Sequence, residues 1–146
     1  MFYTGGTTGL PKGVMLSHAN LIASTNGLVT ASPGTLSKGG RTLHVAPLFH
    51  LAAVGSWCSQ KLVGGSPVFE SSFAPEELLR TISTHRATSV TLVPAMIRML
   101  VDHPTAGEHD LSSMQRIGYG ASPISETLLK RPWPCSPRPG SPRGTA

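Results

Sequence analysis

A loop rich in glycine and threonine near the start of the chain carries the residue types best suited to chemistry. Residues 3–13 read YTGGTTGLPKG and hold four glycines, three threonines and one lysine. Glycines let successive backbone N–H groups point into one cavity, where they can hold an anion. Threonine hydroxyls add donors, and the ammonium of Lys12 adds a compact positive charge. The loop therefore predicts a phosphate site rather than a simple flexible turn.

This loop departs from two common phosphate-binding patterns. The P-loop of nucleoside triphosphatases requires G-x-x-x-x-G-K-[ST], whereas Lys12 follows Pro11 and precedes Gly13. The dinucleotide fingerprint G-x-G-x-x-G also fails, because Gly5 and Gly6 are adjacent and no acidic residue follows at the expected distance. The sequence therefore indicates a phosphate-binding loop of a different class.

The elements that must position this loop alternate between short apolar strands and helices. Strands are predicted at residues 14–17, 41–47, 66–71, 88–94 and 114–122. Helices are predicted at residues 18–32, 49–65, 74–86, 95–103 and 124–130, with Ser17 and Ser125 as caps of the first and last. Such alternation predicts an α/β fold, a mostly parallel sheet covered by helices.

Residues 131–146, RPWPCSPRPGSPRGTA, break this pattern. They hold five prolines and three arginines, and no aliphatic residue larger than alanine. We therefore predict one domain at residues 1–130 and a disordered C-terminal tail at 131–146. Because this composition is typical of GC-rich DNA translated out of frame, it also suggests a frameshift.

Composition excludes some classes of protein. The net charge of +5 suits an anionic ligand such as a nucleotide, but the basic residues are scattered, which does not favour nucleic-acid binding. Cys58 and Cys135 match no metal-ligand spacing, so we expect no metal site and a reducing compartment. Neither a signal peptide nor an apolar run of the ~20 residues needed to cross a bilayer is found. We expect a cytoplasmic protein without a transmembrane segment.

The loop resembles the phosphate-binding signature of the adenylate-forming superfamily, which includes acyl-CoA synthetases, adenylation domains of peptide synthetases, and luciferases. That signature runs [ST]-S-G-[ST]-T-G-x-P-K-G, and TGGTTGLPKG departs from it at Gly5, where serine is usual. The change removes one hydroxyl and is expected to weaken the phosphate contact without abolishing the loop. The resemblance implies nucleotide binding by Thr4, Gly5, Gly6, Thr7, Thr8, Gly9 and Lys12.

Two later segments resemble further motifs of the same family, in the family's order. VAPLFHLAAVGSW, residues 45–57, resembles the motif near the acyl pocket and implies a catalytic position for His50, beside the reacting carboxylate. Without the motif, a histidine on an apolar helix would more often be a packed core residue. GYGASPIS resembles the segment whose backbone borders the adenine and acyl pocket, at Gly120, Ala121, Ser122 and Pro123. The PLFH sequence favours the acyl-CoA synthetase, or fatty-acid–CoA ligase, branch.

The resemblance implies a two-step reaction. A carboxylate attacks the α-phosphate of Mg²⁺-bound ATP to give an acyl-adenylate and pyrophosphate, and the thiol of coenzyme A then displaces AMP. The implied partners are thus ATP, Mg²⁺, coenzyme A and a carboxylic (fatty) acid. The sequence determines neither the length of the acyl chain nor the oligomeric state.

Several motifs of the family are absent from this sequence. They are the Y-G-x-T-E motif whose glutamate helps to hold Mg²⁺, the aspartate that binds the ribose hydroxyls, the lysine of the small C-terminal domain, and the N-terminal subdomain. We therefore expect a partial AMP-binding domain, an internal fragment of the large N-terminal domain, that is inactive alone. Three alternatives stay open: a non-catalytic nucleotide-binding module, an unstable pseudogene product, and a basic tail that binds a partner.

Overall fold

The computed structural model describes residues 2–5, 9–31 and 36–131. It begins with an antiparallel hairpin of β1 (Phe2–Thr4) and β2 (Lys12–Val14), in which Thr4 pairs with Lys12. Residues 32–35 lie outside the described residues, as do residues 132–146 of the tail that is predicted to be disordered at 131–146.

Strands and helices then alternate along the chain, as predicted. The strands are β3 (Arg41–His44), β4 (Ser66–Phe69), β5 (Ser89–Leu92) and β6 (Arg116–Tyr119). The helices are α1 (His18–Ala31), α2 (Leu51–Leu62), α3 (Pro75–His85), α4 (Pro94–Val101) and α5 (Glu126–Leu129). Strands β3 to β6 form one parallel sheet in the order β4-β3-β5-β6. The predicted parallel sheet covered by helices is thereby confirmed.

The prediction of a strand at 14–17 is wrong, because β2 ends at Val14 and the chain then leads into α1 at His18. Ser17 caps this helix, as expected. Its Oγ accepts a hydrogen bond from the backbone N–H of Asn20 at 3.1 Å, and Oδ1 of Asn20 accepts one from the Ser17 N–H at 3.1 Å. This reciprocal arrangement satisfies two backbone donors that the first turn would otherwise leave free.

One face of the sheet is buried in an apolar core under α3 and α4. Val68, Leu43, Val90 and Ile117 pair across the four strands and all pack in this core. Leu79 of α3 is fully buried there. Since burial of one such side chain contributes roughly 1.5–3 kcal/mol, this face supplies most of the stabilisation of the fold.

The opposite face of the sheet is polar and lies under α2. Thr42 is paired with Ser89 across β3 and β5, and successive residues of a strand point to opposite faces. The Thr42 hydroxyl donates to Oε1 of Gln60 in α2 at 2.6 Å, and Nε2 of Gln60 donates to the Gly40 carbonyl at 3.0 Å. A Cβ on Gly65 would lie 2.5 Å from the backbone carbonyl oxygen of Gly40 and 1.5 Å from Nε2 of Gln60, so glycine is required at this position.

Candidate functional site

Two of the predicted motifs lie at the carboxyl edge of the sheet, the edge where the parallel strands end. Strand β3 leads into residues 45–50, and β6 leads into residues 120–123. Strand β5 lies between them, so the two segments leave the sheet about 10 Å apart, two strand spacings. Ligands of open α/β sheets bind in the crevice outside the carboxyl ends of the strands.

His50 lies at this edge as the residue that precedes α2. Its backbone N–H donates to the Pro47 carbonyl at 3.0 Å, and its own carbonyl accepts from the N–H groups of Ala53 at 3.1 Å and Val54 at 3.2 Å. The imidazole is exposed and contacts the ring of Phe49 with centroids 4.9 Å apart. The helix start therefore presents the ring of His50 outward, and the alternative of a packed core histidine does not hold.

The buried histidine is instead His44, which the sequence analysis did not single out. It is the last residue of β3, is 5% exposed, and stacks on Phe69 with ring centroids 5.2 Å apart. Its Nε2 has no hydrogen-bond partner within the described ranges. Burial lowers the pKa of His44, because it disfavours the charged form. Its position inside the buried strand predicted at 41–47 was the one available signal.

The backbone after β6 turns sharply at the second motif. Ala121 has a φ of 67°, in the left-handed region that non-glycine residues rarely adopt. Gly120 has open space around it, and Ser122 and Pro123 are exposed. Strained backbone of this kind is concentrated at ligand sites. The segment thus offers exposed backbone groups at the same edge as His50.

The phosphate loop lies in the β1–β2 hairpin. Gly6, Thr7 and Thr8 are outside the described residues, whereas Thr4, Gly5, Gly9 and Lys12 are described and exposed. Thr4 Oγ1 lies 3.5 Å from the Lys12 carbonyl, and Gly9 has a φ of 94°. In the described part of the chain, the hydrogen bonds of this hairpin stay within it. The structure therefore joins the second and third motifs at one edge but does not connect the loop to them.

A cavity of about 500 Å³ lies between α1, α2 and the polar face of the sheet. We call it the sheet–helix cavity. It begins near the carboxyl edge, at Ala52 and Gly118, and reaches Ser89 and Arg116 at the other end of β5 and β6. Aliphatic side chains such as Leu28 line its side toward α1. Its mixture of aliphatic and hydroxyl-bearing side chains suits a mainly apolar ligand.

Other kinds of site find little support in the described residues. They contain no group of three or more histidine, cysteine, aspartate or glutamate side chains that could hold a metal ion. Cys58 is a free thiol, and Cys135 lies outside the described ranges. Among the described helices, none has both the length and the apolar character that a membrane span requires.

Comparison with known proteins decides the family. Residues 1–140 match the family described as AMP-binding enzyme. The chain belongs to this family. A feruloyl-CoA synthase from an Amycolatopsis species is 36% identical over 132 residues, which cover 90% of this chain and 26% of that protein. The medium/long-chain-fatty-acid–CoA ligase FadD8 of Mycobacterium tuberculosis is 36% identical over 127 residues, 87% of this chain and 22% of that protein.

Solved structures of acyl-CoA synthetases share the fold of this AMP-binding chain. The inhibitor-bound N-terminal domain of FACL13 from M. tuberculosis superposes with a TM-score of 0.79 at 26% identity, over 88% of this chain and 32% of that one. The o-succinylbenzoate-CoA synthetase of Bacillus subtilis in complex with AMP gives 0.73 at 28% identity, over 88% and 32%. The expected family, acyl-CoA synthetase branch and partial large-domain fold are confirmed, and the chain spans about a quarter of the curated relatives that it matches.

Proposed function

We propose that this chain forms the acyl- and nucleotide-binding part of an ATP-dependent carboxylate–CoA ligase. The reaction is formation of an acyl-adenylate from a carboxylic acid and ATP, followed by transfer of the acyl group to coenzyme A. Family membership supports the reaction class, and the names of the CoA ligases among its relatives support the acid and thiol substrates. The observation that carries the proposal is the carboxyl edge of the sheet, where His50 follows β3 and residues 120–123 follow β6, close in sequence to Ala52 and Gly118 of the sheet–helix cavity.

Each part of the site then has a distinct task. The apolar tail of the acid occupies the sheet–helix cavity, so that its carboxylate lies at the carboxyl edge beside His50. The exposed backbone around Ala121 borders the adenine, and Lys12 with the loop amides holds the phosphates. Positioned donors and cations dominate such a reaction, because negative charge builds on the phosphates in the transition state.

Among the described residues, no group of three or more histidine, cysteine, aspartate or glutamate side chains could hold Mg²⁺ without the phosphates of a bound nucleotide. Magnesium prefers carboxylate and phosphate oxygens, and no carboxylate cluster lies among them at the carboxyl edge. We therefore derive no step of the reaction through this ion. The proposal that the 146-residue chain is inactive alone and binds ATP only weakly rests on the family motifs that its sequence lacks.

Titration of the 146-residue chain with ATP, alongside a pyrophosphate-release assay with several fatty acids, tests this proposal. We expect millimolar binding without turnover. Measurable turnover would refute inactivity, and no binding of either ATP or acid at millimolar concentration would refute the site itself. An unstable product, the open alternative, would show no cooperative transition in a circular dichroism melt.

Substitution of Lys12 by alanine tests its assigned contact with the phosphates. We expect Lys12→Ala to weaken ATP binding by about 1.5–3 kcal/mol, the contribution of one hydrogen bond to a charged group. The control is Lys61→Ala, which removes an exposed lysine near the opposite end of α2. Equal ATP affinity of the two variants in an NMR titration would remove Lys12 from the site.

The domain boundary at residue 130 and the frameshifted tail remain part of the proposal. Arg131 is the first residue assigned to the tail, and its guanidinium donates a hydrogen bond to the Asp102 carboxylate. Nucleotide sequencing of the locus tests the frameshift. A Y-G-x-T-E motif in another frame just downstream would support it, and its absence would argue against it.

A further inference from the structure

The connection between α4 and β6, residues 102–115, is packed on the core and is not a free loop. Three of its residues are buried in the apolar core: Ala106, Leu111 and Met114. Its end beside β6 is held by the Gln115 N–H, which donates to the Thr88 carbonyl at 2.8 Å. These backbone groups do not change their charge with pH, so this end is tied in the same way in acid and in base.

The other end of the connection is held at the start of α3 through one carboxylate. His109 Nε2 lies 3.3 Å from Glu76 Oε1, and His103 Nδ1 lies 3.4 Å from Glu76 Oε2. The Thr105 hydroxyl also donates to Oε2. We call these four residues, Glu76, His103, Thr105 and His109, the Glu76 clamp. The side chains of the two histidines are only 23% and 16% exposed, so solvent screens their contacts in part.

The hydrogen bonds of the clamp do not depend on whether the histidines are charged. The hydrogen bond from Thr105 holds the pKa of Glu76 below its ordinary value, and an ionised carboxylate can only accept. Thr105 uses its single proton on Glu76, so it accepts from Nδ1 of His103 at 2.9 Å. Nε2 of His109 likewise carries the proton that faces Glu76. A second proton on each ring therefore adds positive charge and leaves these contacts in place.

The other ionisable groups around the clamp are carboxylates and guanidinium groups. They are Glu70, Glu77 and Arg80 near α3, Asp102, Glu108 and Asp110 in the connection, and Arg131 and Arg86, which pair with Asp102 and Asp110. Carboxylate and guanidinium side chains ordinarily keep their charge between about pH 5.5 and 8, whereas imidazole titrates in this range. The charge of the clamp therefore changes through its two histidines.

We propose that the Glu76 clamp makes the attachment of the α4–β6 connection dependent on pH. Protonation of His103 and His109 places a positive charge on either side of the Glu76 carboxylate, so the attachment tightens as the pH falls from about 8 to 5.5. As the pH rises, both charges are lost and this end opens more readily, while the end beside β6 stays tied. The connection leads into β6 and residues 120–123, so the clamp sets how firmly the chain before that segment is held.

Amide hydrogen exchange of the full 146-residue chain at about pH 5.5 and 8 tests this proposal. The Ala106 N–H donates to the His103 carbonyl at 3.1 Å. The Glu108 N–H donates to the Thr105 carbonyl at 2.8 Å. Exchange of both amides therefore requires this end of the connection to open. After correction for intrinsic exchange, we expect about threefold higher protection at the lower pH, the effect of a partly exposed ion pair. Protection of the Gln115 N–H should not change.

Substitutions in the clamp separate its effect from a general effect of pH. The double variant His103→Gln, His109→Gln should lose the difference in protection, because glutamine does not titrate, and Glu76→Gln should lose it because the negative charge is removed. His85→Gln is the matched control, since His85 is an exposed histidine in the last turn of α3, and it should keep the difference. Thermal melts verify that each variant folds.

Three results would overturn the role of the clamp. They are equal protection of Ala106 and Glu108 at both pH values in the wild-type chain, an equal change at Gln115, and a difference that survives in the double histidine variant. The first two are measured on the wild-type chain, so the proposal is decided even where a variant does not fold.

Discussion

Replacement of Gln60 by alanine should measure how firmly α2 is held to the polar face of the sheet. The side chain is 1% exposed and joins three parts of the chain. It accepts a hydrogen bond from Thr42 at 2.6 Å and donates to the carbonyls of Gly40 at 3.0 Å and Ser37 at 3.4 Å. Alanine removes all three bonds and offers no replacement.

The loss of stability follows from which groups are left without partners. The Gly40 carbonyl still accepts from Ser66 at 2.9 Å, and the Ser37 carbonyl still accepts from the Gly40 N–H at 2.9 Å. Only the Thr42 hydroxyl loses its acceptor. Two good hydrogen bonds contribute about 2 kcal/mol, and the lost methylene adds about 0.8 kcal/mol. We therefore expect the free energy of unfolding to fall by about 3 kcal/mol, equivalent to roughly 6–12 °C in Tm.

Urea denaturation followed by circular dichroism, together with thermal melts, measures this change. Gln115→Ala is the control, because Gln115 is exposed and surface substitutions usually change stability by less than about 0.5 kcal/mol. If the two variants lose the same stability, the network does not hold α2 and our reasoning is refuted.

Three further predictions concern the α3 side of the molecule. Leu79→Ala should lower the free energy of unfolding by about 2–5 kcal/mol, because Leu79 is fully buried; a loss below 1 kcal/mol in urea titration would contradict the core assignment. Arg86 ends α3 with a φ of 50°, so Arg86→Gly should raise the Tm slightly, and a lower Tm would argue against this strain. The pKa of Glu76 is lowered, chiefly by the hydrogen bond from Thr105. The stabilising contribution of Glu76 is therefore complete above the unfolded pKa of about 4.3 and is lost as the pH falls below that value. Glu76→Gln should therefore flatten the dependence of Tm on pH below that value, whereas the exposed Gln115→Ala should not.

Most of the parallel sheet could be predicted from the sequence, because its signals are local. The β-branched run of β5 and the proline at the start of α4 set their boundaries within a few residues. The β1–β2 hairpin could not be predicted in this way. Lys12–Val14 contains a glycine and has little intrinsic preference for a strand, and its partner lies across the phosphate loop.

The candidate site was predicted less completely, because its geometry depends on distant contacts. The motifs indicate His50 and residues 120–123, but only the strand order shows that both lie at one edge. The pairing of Thr42 with Gln60 joins residues 18 positions apart, and no local pattern indicates it. Within the described ranges, the buried Ser59 hydroxyl has no hydrogen-bond partner, which likewise becomes apparent only when its neighbours are placed around it.

The different chemistry of the two sheet faces has a consequence for how such a domain can change over evolution. The apolar face under α3 and α4 carries the stability, while the face under α2 carries the cavity. Ser56 and Ser59 line the cavity from α2, on the side of the sheet away from α3 and α4, so a substitution there changes the cavity wall and leaves the apolar face untouched. We therefore expect the wall of this cavity to tolerate change with little loss of stability.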